Sequence, residues 1–82
     1  MKLSDEWKLV LKVYEHERNG HYLTIDELSI KELGLVQLVI DWGLVKRKYM
    51  TDNEGCLRSY LITNITARPL IEEMYKNFIE RK

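Results

Sequence analysis

Two helix-start signals constrain the fold of this chain more than any other feature of its sequence. Thr24 is followed three residues later by Glu27, and Ser29 is followed three residues later by Glu32. In such capping boxes the hydroxyl caps the first helical turn and the glutamate reaches back to the backbone N–H of the cap. Since the two boxes lie so close together, we predict a very short helix, a tight turn and a new helix over about 30–42.

A second interpretation of this segment remains open. In it, one helix spans residues 25–33, ends at Gly34, and is followed by another helix from Leu35. Both interpretations give a helix, a turn and a helix. We favour the first, because its later helix then spans three turns.

A longer helix precedes this segment, over about 5–18. Ser4 is a good N-cap, and the two acidic residues after it suit the positive end of a helix dipole. Asn19 and Gly20 end the helix, because glycine takes the left-handed conformation that follows many helices. Residues 21–23 are predicted to form a short extended link. Apolar residues recur at helical spacing on one face: Trp7, Val10, Leu11 and Tyr14.

After Gly43 the pattern changes from helix to strand. "LVKRKYM" at 44–50 and "CLRSYLIT" at 56–63 are rich in β-branched, aromatic and leucine residues, and the polar segment "TDNEG" separates them. This arrangement predicts a β-hairpin. The last segment, about 66–81, is predicted to be helical, with Thr66 as N-cap and Pro69 tolerated in the first turn.

Length and composition bound the class of protein. The 82 residues are enough for one domain, and we predict a single mainly α domain of the α+β class over 1–82. Its order is helix, short strand, helix, helix, hairpin, helix. With 13 basic and 13 acidic residues, the chain is not a globally basic nucleic-acid binder, although a local basic patch remains possible. Neither a membrane-spanning run nor a signal-peptide apolar region is present, so we expect a cytoplasmic protein.

The sequence offers little support for catalysis. His16 and His21 are five residues apart, whereas a helical metal pair requires a spacing of three or four. Cys56 is the single cysteine, and it is either a reduced thiol or a bridge between two subunits. A glycine-rich phosphate loop is absent from the sequence. We therefore expect a protein that is not an enzyme and has no metal, cofactor or small-molecule ligand.

Three stretches resemble winged-helix regulators of the MarR type. They are "LTIDELS" at 23–29, "GLVKR" at 43–47 and "DNEGCLRSYLIT" at 52–63. The chain is shorter than typical MarR-type proteins, and in size and arrangement it is similar to small winged-helix proteins of archaea and their viruses. The resemblance implies a DNA-binding transcription regulator that forms a homodimer through its terminal helix. For a viral protein the expected location is the host cytoplasm.

The resemblance implies contacts to double-stranded DNA at two places. Cations of the hairpin would bind phosphates, with Arg58 suited to a narrow minor groove, and one edge of the helix over 30–42 would enter the major groove. The hairpin residues are Lys46, Arg47, Lys48, Arg58 and Ser59, and the helix residues are Lys31 and Gln37. Since side chains alternate along a strand, we predict that Lys46 and Lys48 share one face and Arg47 lies on the other.

Alternatives remain for each of these surfaces. The helix over 30–42 is apolar nearly all round, which is typical of a helix buried in a core rather than one that reads bases. The hairpin cations could instead balance Asp52 and Glu54 in water. The alternative function is a winged-helix module for protein–protein contact that does not bind DNA. For the homodimer we predict an interface on the last helix formed by Leu70, Met74, Tyr75, Phe78 and Ile79.

Overall fold

The computed structural model describes residues 3–80, which form three α-helices and a three-stranded antiparallel sheet. The predicted α+β class and the hairpin are confirmed, while position 81 of the predicted last helix lies outside the described residues. The elements are α1 (Asp5–Arg18), β1 (Leu23–Thr24), α2 (Ile30–Asp41), β2 (Val45–Thr51), β3 (Leu57–Thr63) and α3 (Arg68–Tyr75). Two 3-10 turns, Ile25–Glu27 and Ile65–Ala67, precede α2 and α3, and a π-helical segment, Lys76–Glu80, follows α3.

The two capping boxes determine how α2 begins. The Glu27 carboxylate accepts hydrogen bonds from the N–H and hydroxyl of Thr24, at 2.9 and 2.7 Å. Ser29 and Glu32 exchange bonds reciprocally, with the Ser29 N–H donating at 3.0 Å and the Glu32 N–H donating to the hydroxyl at 3.2 Å. The first box starts a single 3-10 turn, since the chain is already extended at Leu28. The favoured interpretation is therefore confirmed, and the helix over 25–33 is wrong.

The start of the last helix differs from the prediction. Asn64, not Thr66, is the cap: its side-chain oxygen accepts from the N–H of Thr66 at 3.2 Å and from its hydroxyl at 2.9 Å. This cap begins the 3-10 turn Ile65–Ala67, and α3 starts only at Arg68. The prediction of Thr66 is wrong because its hydroxyl is already donated backwards to Asn64. Pro69 does lie in the first turn of α3, as predicted.

The short strand predicted before α2 is confirmed, and it forms the third strand of the sheet, Leu23–Thr24. Leu23 pairs with Leu61 and Thr24 with Tyr60, both antiparallel, so the sheet order is β1-β3-β2. The hairpin thus gains a partner along the second edge of β3. So short a pattern does not indicate the strand's partner, because the pairing depends on the tertiary fold.

The core lies between α1, α2, α3 and the inner face of the sheet. Glu17 joins these elements, because its carboxylate accepts from the Thr63 N–H at 2.8 Å, from the Thr63 hydroxyl at 2.6 Å and from Arg68 at 3.2 Å. From α2, the buried side chains are Val36 and Val39. The other largest buried side chains are Leu9, Val10, Val13, Leu23, Val45, Leu61 and Ile71. Consequently most of the surface of α2 faces outward.

Candidate nucleic-acid interface

The hairpin of β2 and β3 presents cations on both of its faces. Arg47 pairs with Leu61 and so lies on the face that continues from the core, whereas Lys46 pairs with Ile62 and Lys48 with Tyr60 on the outer face. The predicted alternation is confirmed. All three cations are exposed, including Arg47 on the core-side face. The far half of the hairpin therefore extends beyond the core with water on either side.

The two lysines carry uncompensated charge. Within residues 3–80, the ammonium groups of Lys46 and Lys48 form neither an ion pair nor a side-chain hydrogen bond. Beside Lys48 on the outer face lies Tyr60, whose ring meets Tyr22 edge-on with 6.2 Å between centroids. Flexible ammonium groups next to phenol hydroxyls are suited to phosphate oxygens, which accept from both kinds of donor.

Arg47 is held in place without losing its charge. Its guanidinium donates one hydrogen bond to the Ser59 hydroxyl at 3.2 Å and lies 5.4 Å from the centroid of the Tyr49 ring. A guanidinium has five N–H donors, so this arrangement orients the group and leaves donors available for an anion. Ser59, predicted to contact DNA itself, serves here to position Arg47.

Arg58 is paired with the protein's own carboxylates. Its Nε donates to Asp52 Oδ2 at 2.7 Å, and a terminal nitrogen lies 3.2 Å from Asp26 Oδ2. The hydrogen bond between Arg58 and Asp52 is the main reason why the pKa of Asp52 is lowered and the pKa of Arg58 is raised. Asp52 also accepts from the N–H groups of Glu54 and Cys56, each at 2.9 Å, which closes the hairpin loop. Two of the five N–H donors of Arg58 are thus used within the chain, and the two carboxylates compete with a phosphate for its charge.

The two polar residues of α2 that were predicted to read bases are also engaged. Lys31 Nζ lies 3.0 Å from Asp5 Oδ2, and the Gln37 amide donates to Asp41 Oδ1 at 2.9 Å. Both side chains are exposed. They are thus accessible from solvent, but each has an internal partner that a base would have to replace.

The exposed face of α2 is mostly apolar. Ile30 is 89% exposed and Trp42 is 49% exposed, and Leu33 and Leu38 are exposed between them. The interpretation of α2 as a buried helix is therefore wrong for three of its seven apolar side chains and for Trp42, which directly follows it. The reason is geometric: α1 and β2 cover one side of α2, and a single stripe of side chains fills that contact.

The predicted dimer residues on the last helix divide into two groups. Tyr75 is 7% exposed and packs edge-on against Tyr14 within the same chain, with 5.2 Å between ring centroids. It is used by the core, which removes it from the predicted interface. Met74 and Phe78 are half-buried, and Leu70 and Ile79 are exposed.

Other chemistry-bearing residues are dispersed. Among residues 3–80, no three His, Cys, Asp or Glu side chains are grouped so that they could hold a metal ion. His16 and His21 meet edge-on with 5.2 Å between ring centroids, and the exposed Cys56 lies by the hairpin loop. A cleft of about 320 Å³ beside Glu17 and Arg68 is lined by groups that already bond each other across α1, β3 and α3.

Comparison with known proteins adds no further constraint. No family model, curated protein or solved structure matches this chain. Between residues 3 and 80, moreover, no helix has the length and apolar character needed to cross a membrane. The hairpin and α2 are therefore the features of the molecule that bear on its function.

Proposed function

We propose that the protein binds duplex DNA through its hairpin, as a transcription regulator of the winged-helix type. The observation that carries the proposal is the exposure of Lys46, Arg47 and Lys48 on both faces of a hairpin that extends beyond the core. Residues 45–63 contain four cations and two carboxylates, although the whole chain has 13 of each sign. This local excess of positive charge attracts a polyanion despite the neutral total.

In this proposal the hairpin acts as the wing and binds phosphates rather than bases. Lys46 and Lys48 point to one side and Arg47 to the other, which suits a hairpin lying along a groove between two phosphate strands. The edge of α2 contributes what base reading there is, through Lys31 and Gln37. Because both are engaged within the chain, and the rest of the exposed face of α2 is apolar, we expect modest sequence preference.

A salt titration tests the proposal. Wild type and Lys48→Ala are titrated against one labelled duplex at three salt concentrations, with Lys76→Ala, an exposed lysine beyond α3, as the matched control. Each phosphate neutralised contributes about −0.9 to the slope of log affinity against log salt. Lys48→Ala should flatten the slope by about 0.9 for each subunit bound, and the control should leave it unchanged. Equal slopes for wild type and Lys48→Ala would remove the hairpin from the interface.

A second candidate function is protein–protein contact without DNA binding. It is favoured by the exposed apolar side chains of α2, since contiguous apolar surface marks interaction sites. The same titration separates the two functions. Non-specific DNA binders reach dissociation constants of about 10⁻⁴–10⁻⁶ M at physiological salt, so the absence of duplex binding at about 50 mM salt would favour protein contact.

A further inference from the structure

One side of α2 combines exposed apolar residues with a notch and two opposite charges. We call it the α2 face and define it by Ile30, Lys31, Gly34, Leu38, Asp41 and Trp42, all of which are exposed. Most successive members are three or four residues apart, and residues at this spacing lie on the same side of an α-helix. The two adjacent pairs, 30–31 and 41–42, set the width of the face. The opposite side carries Val36 and Val39, which are buried in the core.

We propose that the α2 face binds the α2 face of a second copy of this chain, with the two helices antiparallel. In such a pair, residues equally far from the midpoint of the helix lie at the same level. With the midpoint at Val36, Ile30 lies level with Trp42 of the second copy, Lys31 with Asp41, and Gly34 with Leu38. A two-fold axis repeats every contact, so the face must be complementary to itself.

The shapes of the paired residues are complementary. At Gly34 an added Cβ would meet nothing within 4 Å, so the helix surface is open at this position. Leu38 of the second copy, an exposed side chain in the free chain, fits into this notch. Ile30 and Trp42 meet at both ends of the pair and bury the largest exposed apolar side chains of the helix.

The charges of the α2 face also match a second copy. Lys31 has a 73% exposed side chain and lies 3.0 Å from Asp5 Oδ2 of its own chain. In the antiparallel pair it lies level with Asp41 of the other chain, which would share the ammonium group with Asp5. Asp41 accepts from Gln37 through Oδ1, and a carboxylate has a second oxygen that can accept from an ammonium group. The apolar side chains and the Asp41 carboxylate suit this partner better than they suit a phosphate backbone. The proposal does not rest on DNA binding by the hairpin, whose cations lie outside the α2 face. It competes with base contact through Lys31, because Lys31 belongs to the α2 face, so in this dimer the hairpin is the DNA-binding surface.

Sedimentation equilibrium of the full chain tests this interface. We expect a wild-type dimer, and we expect Ile30→Glu and Leu38→Glu to raise its dissociation constant at least about tenfold, because each places an unpaired charge in apolar surroundings. Both positions are exposed, so circular dichroism should show the monomer fold retained. Leu57→Glu on the hairpin is the matched control, and Ile79→Glu probes the last helix as the rival interface.

A charge swap tests the antiparallel arrangement. Lys31→Glu and Asp41→Lys should each weaken the dimer, because each places two like charges level with one another across the interface. The double variant should restore the dimer, because the two positions then again carry opposite charges. A wild type that stays monomeric at high concentration would overturn the proposal. So would a dimer that Ile79→Glu dissociates while the α2 variants do not. Failure of the double variant to recover would overturn the antiparallel pairing.

Discussion

Arg58 and Asp52 bind each other at the base of the hairpin loop, with 2.7 Å between the guanidinium Nε and the carboxylate Oδ2. The same guanidinium also lies 3.2 Å from Asp26, in the turn before α2. The cation nearest to the loop is thus held by the chain's own acids before any nucleic acid arrives. On the proposed function, these acids compete with phosphate for Arg58.

Releasing Arg58 should strengthen DNA binding. In Asp52→Asn the side-chain oxygen can still accept from the loop N–H groups, but the charge that holds Arg58 is lost. We expect higher duplex affinity and a salt slope steeper by about 0.9 for each subunit bound, measured by fluorescence anisotropy. Glu54→Gln is the matched control, because it removes one charge from the same loop without touching Arg58. Equal gains in the two variants would attribute the effect to net charge alone.

Acid should weaken the start of α2 through Glu32. The Ser29 N–H, followed by Lys12 at 3.1 Å, lowers the pKa of Glu32 below its ordinary 4.5. Because the folded chain has the lower pKa, the stabilisation is complete above the ordinary value and is lost as pH falls through the folded-state pKa. Glu32→Gln should therefore unfold more easily at neutral pH, by about 0.5–1 kcal/mol, and show a flatter loss of stability below about pH 5.

Urea denaturation across this pH range measures the effect of Glu32. Glu15→Gln, an exposed carboxylate on α1, is the control and should behave like wild type. If Glu32→Gln kept the full wild-type pH dependence, the capping box would not be the source of the acid sensitivity.

The central strand should tolerate truncation at its exposed end and not at its buried end. Leu61 is 0% exposed and Leu57 is 68% exposed, on the same strand and the same face. Leu61→Ala should lower the free energy of unfolding by about 2–5 kcal/mol, since it leaves a cavity in the core. Leu57→Ala should change it by no more than about 0.5 kcal/mol. Similar losses in the two variants would show that the far half of the hairpin is covered in solution.

Cys56 should react as an accessible thiol. It is exposed beside the hairpin loop, and nothing in residues 3–80 covers it. We expect the native protein to be alkylated at a rate close to that of the unfolded chain. Mass spectrometry measures this rate, and Cys56→Ser is the control that should remain unlabelled. Slow labelling, or a disulfide-linked dimer in protein purified without oxidant, would instead support a bridge between subunits.

Local signals account for the elements that were predicted correctly. Both capping boxes act within four residues of sequence, and the alternation of Lys46, Arg47 and Lys48 follows from the period of a strand. The start of the last helix is also determined locally. The predicted N-cap, Thr66, is wrong by two positions, and Asn64 is the capping residue. Asn64 prevails because its side chain can accept from both groups of Thr66 at once.

The features that sequence reasoning missed depend on distant contacts. The pairing of Arg58 with Asp26 joins residues 32 positions apart, and the partner of the predicted short strand, Leu61 opposite Leu23, also lies far along the chain. The exposure of Ile30 is a similar case. Its hydrophobicity predicts burial, and only the narrow contact of α2 with its neighbours leaves it at the surface. One sequence feature does indicate this exposure. The helix is apolar nearly all round, and the core of so small a domain cannot cover every side of it.

The order β1-β3-β2 leaves β2 as a seven-residue edge strand. An edge of that length presents unpaired backbone groups that can add to the edge of another molecule and begin aggregation. Consecutive cations along such a strand oppose this addition by mutual repulsion, whatever else they bind. A variant stripped of Lys46, Arg47 and Lys48 together would therefore lose colloidal stability along with any affinity for anions. Loss of DNA binding in that triple variant would be uninterpretable, and single substitutions are the informative ones.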